Sequence, residues 1–225
     1  MENQPLTEVD LLRWSESLAA IAQTGLAFTE SGYEQERFEE ILHIAAEIKA
    51  NSARGFDPAD QVSEWLANVG ERTVGYVTPK CAVAAVVGND DGEILLVQRS
   101  DSGIWLYPTG WADVGYSPAE VAVKEVQEET GIECEPVRVL QIIDGLRAGF
   151  TRIPLYSLVF YCQATGGELK GHPLETLDVG FFSRDAMPEP LGGRGEWVEK
   201  AFAAIDGEEY PTVFDLPRPE PNPHG

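Results

Sequence analysis

The sequence predicts an α/β protein in which a mixed sheet lies between helices, preceded by a small all-α extension. Apolar residues recur with helical spacing over about residues 9–69. From about residue 80 onward, short β-prone runs bracket two helical segments, as expected for a sheet packed against helices. The 225 residues suffice for one full domain and a small accessory one.

The N-terminal segment, residues 1–70, is predicted to form three helices. The first helix is expected to end at Gly25. Its apolar stripe consists of Leu11, Leu12, Trp14, Leu18, Ile21 and Ala22. The second helix carries Phe38, Ile41, Leu42, Ala45 and Ile48. Asp57 and Pro58 open a third, short helix. Because short helices bury little surface alone, we expect them to pack on the rest of the chain or, as we favour, on a second copy in a homodimer.

A hairpin begins the larger segment, residues 71–209, after a linker at about residues 70–79. The continuous apolar run CAVAAVV, residues 81–87, predicts a buried strand. A turn signal at residues 89–92 separates this run from a second β-prone run at residues 93–99. The two runs therefore predict a pair of antiparallel strands.

A helix with defined ends is predicted from Ser117 to Gly131. Ser117 is a favourable N-cap, Pro118 suits the first helical position, and Glu120 completes a capping-box pattern. Gly131 is expected to end the helix in a left-handed conformation. Both ends of this helix are therefore specified by local sequence.

Three glutamates on this helix are candidate metal ligands. Glu125, Glu128 and Glu129 are spaced i, i+3, i+4, so their carboxylates project from one helical face. Like charges at roughly 6 Å repel by about 3 kcal/mol per pair at an effective dielectric of about 20. A hard divalent cation, Mg²⁺ or Mn²⁺, would offset this repulsion. The alternative is a solvated acidic helix face.

The rest of the chain alternates strands with one more helix. Strands are predicted at residues 137–143, 155–163 and 179–182, and a last helix at residues 196–205. A glycine-bearing polar loop at residues 144–152 separates the first two of these strands. The proline-rich tail, residues 210–225, is expected to be irregular.

The composition excludes some functional classes. A formal net charge of −22 argues against non-specific nucleic-acid binding, which needs clustered Lys and Arg. Cys81, Cys134 and Cys162 show neither a disulfide framework nor metal-ligand spacing. The sequence shows no signal-peptide pattern and no long apolar segment. We therefore expect a cytoplasmic protein that does not contact a membrane.

The stretch GWADVGYSPAEVAVKEVQEETGI, residues 110–132, resembles the Nudix box. That pattern is a glycine, five residues, a glutamate, seven residues, and then Arg-Glu-aliphatic-any-Glu-Glu-any-Gly-aliphatic. The positions in register are Gly110, Glu125, Val126, Glu128, Glu129, Gly131 and Ile132. Two positions depart from the pattern: Tyr116 stands in place of its first glutamate, and Lys124 stands in place of its arginine.

The two departures concern an ion pair that is mainly structural in the family. Lys124 keeps the positive charge but lacks the bidentate guanidinium of arginine. Glu120 lies four residues before Lys124, and we expect it to replace the missing partner. The resemblance therefore implies structural roles for Gly110, Lys124, Glu120 and Gly131.

The resemblance also implies a fold and an activity. The fold is an α/β/α sandwich with a mixed sheet over roughly residues 80–205. The helical extension is similar to that of Nudix hydrolases that cleave X-linked nucleoside diphosphates. The implied reaction is Mg²⁺-dependent hydrolysis of such a diphosphate, with ADP-ribose, cleaved to AMP and ribose 5-phosphate, as the favoured substrate. The alternatives are CDP-choline hydrolysis and a non-catalytic nucleotide-sensing module.

The resemblance assigns roles to the acidic residues. Mg²⁺, or alternatively Mn²⁺, is expected to bind Glu125, Glu128 and Glu129, together with the backbone carbonyl of Thr109. Two candidates exist for the general base, Glu125 and Glu175. Because Glu175 matches by position and not by motif, the alternative for it is a solvated loop carboxylate.

The candidates for substrate binding lie in two loops. Arg147 and Arg152 flank a glycine-bearing loop and are expected to bind substrate phosphate, although scattered surface arginines give the same pattern. Trp105 and Tyr107 are candidates to stack on a base. The alternative for both aromatic residues is packing in the core or anchoring of the loop.

Overall fold

The computed structural model describes residues 7–52, 55–69, 77–113, 115–193 and 197–218. Most of the linker predicted at residues 70–79 lies outside these ranges. The chain divides into two units: unit 1 is Met1–Lys80 with Gly145–Leu155, and unit 2 is Cys81–Asp144 with Tyr156–Gly225. A short stretch from later in the chain therefore belongs to the N-terminal helical unit.

Unit 1 is helical: its three long helices are as predicted, whereas residues 145–148, predicted as part of a loop in the larger segment, form a one-turn helix. Helix α1 spans Glu8–Phe28, α2 spans Gly32–Ser52 and α3 spans Pro58–Ala67, and a one-turn helix, α5 in chain order, spans Gly145–Ala148. The Asp57 carboxylate caps α3 by accepting hydrogen bonds from the N–H groups of Ala59 and Asp60. The buried apolar residues of the three long helices are Ala19, Ala22, Leu42, Ala45, Ala46, Val62 and Trp65.

Gly25 has a different role from the predicted one. Helix α1 does not end at Gly25 but continues to Phe28. A Cβ atom at Gly25 would overlap the ring of Phe38, which lies on α2. Gly25 therefore serves helix packing, because its missing side chain lets an aromatic ring approach the backbone.

The buried face of α1 also differs from the predicted stripe. Trp14 and Ile21 are 40% and 60% exposed, whereas Glu16 and Gln23 are buried. The Lys49 Nζ atom on α2 lies 2.6 Å from Glu16 Oε1, with both side chains largely removed from solvent. Removing one partner of such a buried pair typically costs about 3–5 kcal/mol. The pair therefore fixes the alignment of α1 against α2.

Unit 2 is built on a mixed sheet of eight strands within the described residues. The strands are β1 (Lys80–Gly88), β2 (Ile94–Arg99), β3 (Trp105–Leu106), β4 (Thr109–Trp111), β5 (Ile132–Asp144), β6 (Leu155–Gly167), β7 (Thr176–Phe182) and β8 (Val213–Phe214). Their order is β3-β2-β1-β6-β5-β8, with β4 paired to β1 and β7 paired to β2. The β5–β8 pair is parallel, and the neighbouring β5–β6 pair is antiparallel.

Helices cover both faces of the sheet. They are α4 (Pro118–Thr130) and α6 (Trp197–Ile205). Alternate residues of β1 face opposite ways: Val83 and Ala85 pack in one cluster with α4, while Ala84 and Val86 pack in another with α6. This arrangement confirms the predicted α/β/α layers. None of the helices in the described ranges is long and apolar enough to cross a lipid bilayer.

The tail is more regular than its composition predicts. Strand β8 adds to the edge of the sheet at β5. The Arg138 guanidinium donates hydrogen bonds of 2.8 Å to the carbonyls of Glu208 and Tyr210, and it lies over the Tyr210 ring. The Asp215 carboxylate accepts a 2.8 Å hydrogen bond from the Asp144 N–H. Hydrogen bonds between side chains and backbone groups of the sheet and the tail therefore hold residues up to about 215 in place, and proline content does not predict them.

Candidate functional site

Both ends of α4 are capped as the sequence predicts. The Ser117 side chain accepts from the Glu120 N–H, and the Glu120 carboxylate accepts from the Ser117 N–H at 2.6 Å. Pro118 occupies the first turn, and Gly131 ends the helix with φ of 72°. These local signals fix which residues of α4 face the sheet and which face outward.

The three glutamates of α4 differ strongly in exposure. Glu129 is buried, Glu125 is half-buried and Glu128 is exposed. Val121 and Val126 of the same helix point into the core of the sheet. The 3.6-residue period places Glu125 and Glu129 at the border of this buried face and Glu128 outside it.

Strand β4 lies directly against two of these carboxylates. The Thr109 N–H donates a 3.1 Å hydrogen bond to Glu129 Oε2. A Cβ atom at Gly110 would overlap the Glu125 carboxylate. A side chain at residue 110 would force the end of the Glu125 side chain to move, which gives a physical reason for glycine at the first position of the motif.

The buried carboxylates are electrostatically unfavourable when ionised. Burial raises the pKa of Glu129 to about 7, and the charges of Glu125 and Glu175 add to this increase, while the Thr109 N–H and Arg99 oppose it. Burial is also the largest cause that raises the pKa of Glu125. A bound cation would relieve both effects.

Lys124 has a different partner from the predicted one. Its Nζ atom lies 2.9 Å from Asp113 Oδ2 and 3.1 Å from Glu128 Oε2. Glu120, the predicted partner, uses its carboxylate in the helix cap. The side chain that takes the place of the missing glutamate is therefore Asp113, in the loop before the helix.

Glu175 lies near the α4 carboxylates. It immediately precedes β7, and its backbone carbonyl accepts a 2.9 Å hydrogen bond from the Ser100 N–H next to the end of β2. Its charge contributes to raising the pKa of both Glu125 and Glu129. Its side chain is 64% exposed. The structure thus brings Glu175 towards the α4 glutamates, and its role as a base stays a prediction.

Arg99 is a candidate that the sequence reasoning missed. It ends β2, and its guanidinium lies 2.6 Å from the Asp101 carboxylate. The hydrogen bond to Asp101 is the largest cause that raises the pKa of Arg99, and the negative charges of Asp101, Glu129 and Glu175 add to this increase. The sequence shows Arg99 as a positively charged residue at the end of a predicted strand. Its proximity to Glu129 on α4 depends on how the strands pair, which the sequence does not show.

Trp105 and Tyr107 are packed into the core. Trp105 is buried in the α6-side cluster, with its ring 5.0 Å from that of Phe182. The Tyr107 ring lies 5.0 Å from that of Trp197, and burial raises the pKa of Tyr107 to about 12. This placement favours the packing role over base stacking.

Arg147 and Arg152 belong to unit 1. The Arg152 guanidinium lies 5.7 Å from the centre of the Phe56 ring in the same unit. Leu146, next to Arg147, packs with Leu12 of α1. The predicted role of these arginines in phosphate binding stays a prediction.

The donor set suits a hard divalent cation. Among the described residues, no three His, Cys, Asp or Glu side chains are already arranged around a common metal position. Glu128 contacts Lys124, and Glu129 accepts from the Thr109 N–H. The available donors are carboxylate oxygens, which prefer Mg²⁺ or Mn²⁺. Two of these carboxylates, Glu125 and Glu129, are partly removed from solvent and repel each other when ionised. A divalent cation would offset this repulsion, so the residues present fit such an ion.

Two family profiles match this chain. The one described as "NUDIX domain" matches residues 78–202. The one described as "UDP-X-like, N-terminal oligomerisation domain" matches residues 9–66. The first profile covers strands β1 to β7, α4 and the candidate site, and the second covers nearly all of α1, α2 and α3.

Several known proteins are similar over much of the chain. A Bacillus subtilis (strain 168) protein named "Putative ADP-ribose pyrophosphatase YjhB" is 32% identical over 209 residues, which is 91% of this chain and 96% of that protein. The crystal structure of an ADP-ribose pyrophosphatase from Streptococcus suis is 36% identical, with a TM-score of 0.54, and covers 61% of this chain and 100% of that one. The crystal structure of a UDP-X diphosphatase is 29% identical, with a TM-score of 0.55, and covers 93% of this chain and 100% of that one.

Proposed function

Because the chain belongs to the Nudix family, we propose that it hydrolyses the diphosphate linkage of a nucleoside diphosphate joined to a second group. ADP-ribose is the favoured substrate, and its products are AMP and ribose 5-phosphate. The observation that carries the proposal is the placement of Glu125 and Glu129 against Gly110 and Thr109. The similarity to proteins named as ADP-ribose pyrophosphatases supports the choice of substrate.

The α4 glutamates would hold the cation that the reaction needs. Glu125, Glu128 and Glu129, with the carbonyl of Thr109, are the ligands we assign to Mg²⁺, with Mn²⁺ as the alternative. When bound, such an ion would neutralise phosphate charge and lower the pKa of a water molecule beside it. The protein supplies the fixed carboxylates, because Glu129 is held by the Thr109 N–H and Glu125 is confined beside Gly110.

A carboxylate must accept the proton of the attacking water. Glu125 is one candidate, because its half-buried carboxylate lies directly beside Gly110 at the candidate site. Glu175 is the other candidate, because its side chain is 64% exposed, with His172 Nδ1 3.9 Å from its carboxylate. The water attacks one phosphorus atom, the bridging oxygen leaves with the second phosphate, and the base retains the proton.

A panel of nucleoside diphosphates tests the substrate assignment. We expect hydrolysis of ADP-ribose with a kcat/KM at least about 10-fold above that of CDP-choline or a UDP-sugar, since pocket contacts commonly discriminate by about 10–200-fold. The measurement is chromatographic separation of products with Mg²⁺, with EDTA as the control. Preference for CDP-choline or a UDP-sugar would reassign the substrate; tight binding of ADP-ribose without turnover of any compound would indicate a sensing module instead.

We also propose that the helical unit forms a homodimer through α1. Trp14, Ile21 and Phe28 are 40%, 60% and 55% exposed, and their spacing of seven residues puts them on one side of the helix. An apolar row of this kind is typical of a protein interface. The match to a profile described as an oligomerisation domain agrees with this assignment.

Sedimentation velocity tests the dimer. We expect wild-type protein to sediment as a dimer and Ile21→Asp to sediment as a monomer, because a charge at the centre of the row would be buried without a partner. Leu174→Asp is the matched control, since Leu174 is 81% exposed and lies in unit 2. A monomeric wild-type protein, or a dimer that survives Ile21→Asp, would contradict the proposal.

A further inference from the structure

The loop between β4 and α4 is tied to the helix through Lys124. The Lys124 Nζ atom lies 2.9 Å from Asp113 Oδ2 and 3.1 Å from Glu128 Oε2. Asp113 is itself held in place by the backbone around it. The Ala112 N–H donates to the Cys81 carbonyl at 2.9 Å, and the Asp113 carbonyl accepts from the Tyr116 N–H at 3.3 Å. The Asp113 carboxylate is thus presented to α4 by a turn anchored on β1.

The same ammonium group contacts a carboxylate to which we assign a role in metal binding. An ammonium ion hydrogen-bonded to Glu128 competes with a divalent cation for the same oxygen atoms. The i, i+4 spacing on α4 places Lys124 within reach of Glu128. A second carboxylate hydrogen-bonded to the same ammonium group shares that group with Glu128, which stays 3.1 Å from it, and so weakens this competition. Asp113 is placed to do this.

We propose that Asp113 is a positioning residue that holds Lys124 and so leaves Glu128 available to a divalent cation. The inference rests on the proposed function, because it takes Glu128 to be a metal ligand. Asp113 acts through Lys124 and needs no contact with the ion or the substrate. The side chains of Lys124 and Asp113 are 32% and 47% exposed, so solvent screens the pair and we expect a modest effect of Asp113 on cation affinity.

Mn²⁺ binding to the nucleotide-free protein tests this role without any catalytic readout. The loss of the free Mn²⁺ signal in electron paramagnetic resonance gives the dissociation constant. We expect Asp113→Asn to weaken Mn²⁺ binding roughly threefold to tenfold, between the effect of an exposed ion pair and that of an outer-shell metal partner. Lys124→Gln is expected to bind Mn²⁺ at least as tightly as wild type, because it removes the competing cation.

The double variant decides whether Asp113 acts through Lys124. If it does, Asp113→Asn has no further effect in the Lys124→Gln background, and the double variant binds Mn²⁺ like Lys124→Gln alone. If Asp113 attracts the ion only by its own charge, the loss in affinity persists in that background, and the proposal is overturned. Asp113→Glu, which keeps a carboxylate, is expected to retain most of the wild-type affinity.

Two further variants distinguish a wrong assignment of the metal site from a wrong assignment of the role of Asp113. Asp185→Asn, on the exposed 3-10 helix Arg184–Ala186, removes the same charge elsewhere and should leave Mn²⁺ affinity unchanged. Glu128→Gln should weaken binding strongly, and unchanged affinity in this variant would refute the metal site of the proposed function itself. Weak binding by Glu128→Gln together with wild-type binding by a folded Asp113→Asn would overturn only the role of Asp113. Circular dichroism melting of each variant shows that it is folded.

Discussion

Glu129→Gln is expected to lower kcat/KM for ADP-ribose by roughly 100-fold or more. Mutation of a residue that only hydrogen-bonds to a metal ligand typically lowers metal affinity or activity about 10–100-fold. Glu129 is assigned as a ligand itself, so the loss should be at least as large. The amide oxygen of glutamine still accepts the 3.1 Å hydrogen bond from the Thr109 N–H, so the local structure is retained. Steady-state kinetics at saturating Mg²⁺ measures the loss.

The same variant should be more stable than wild type at high pH when metal is removed. Burial raises the pKa of Glu129 from 4.5 to about 7, so the folded state keeps a proton that the unfolded state has already released. The contribution of Glu129 to the stability of wild type is therefore highest below about pH 4.5, falls as the pH rises through about 7, and is constant above it. A shift of this size corresponds to about 3 kcal/mol.

Urea unfolding in EDTA measures this difference. Glu129→Gln should exceed wild type in free energy of unfolding by up to about 3 kcal/mol at pH 8, and the two should converge near pH 4. Glu199→Gln is the control for both measurements, because Glu199 is exposed and lies on α6, across the sheet from α4. Wild-type turnover in Glu129→Gln would refute the assigned ligand role, and lower stability at pH 8 would refute the electrostatic account.

Gly110→Ala is expected to damage both stability and activity. The added Cβ would overlap the Glu125 carboxylate, so either Glu125 or the backbone of β4 must move. Because the obstacle is the end of a flexible side chain, the cost in stability should lie at the low end of the about 1–3 kcal/mol that overpacking typically costs. Activity should fall at least about 10-fold, because displacing a catalytic group by about 1 Å can cost as much as about 100-fold. Thermal unfolding and ADP-ribose kinetics provide the two measurements.

The origin of the damage can be tested with a double variant. In the Glu125→Ala background, the carboxylate that meets the new Cβ is gone, so Gly110→Ala should cost much less stability. Gly32→Ala is the matched control, because a Cβ atom at Gly32 meets nothing within 4 Å. An equal cost for Gly110→Ala in both backgrounds would show that Glu125 is not the obstacle.

Local signals in the sequence were sufficient for helix α4. Its cap at Ser117 and its end at Gly131 depend on residues within one turn of each terminus, and both are present as predicted. The positions of Glu125, Glu128 and Glu129 around α4 likewise follow from their sequence spacing and the helical period. Successive side chains of β1 point towards α4 and α6 in turn, which follows from the two-residue period of a strand and agrees with the predicted layers.

Features that depend on residues distant in sequence were predicted wrongly or missed. Gly25 was predicted to end a helix, because the ring of Phe38 that explains it lies on the next helix. The partner of Lys124 was predicted on its own helix as Glu120, whereas Asp113 reaches it from a loop whose turn has no periodic signal. Arg99 comes near Glu129 only through the folding of β2 beside α4.

The anchoring of residues 208–215 bears on how the protein can be shortened for crystallisation. Composition alone would place the cut at about residue 209, where the proline-rich segment begins. Such a cut would remove β8 and the carbonyl of Tyr210, and it would leave Arg138 without that acceptor. It would also open the hydrogen-bonding edge of β5 to strands of neighbouring molecules, a recognised route to aggregation. Because the Arg218 guanidinium also lies 4.0 Å from the Asp144 carboxylate on β5, truncated versions of this enzyme should end no earlier than Arg218.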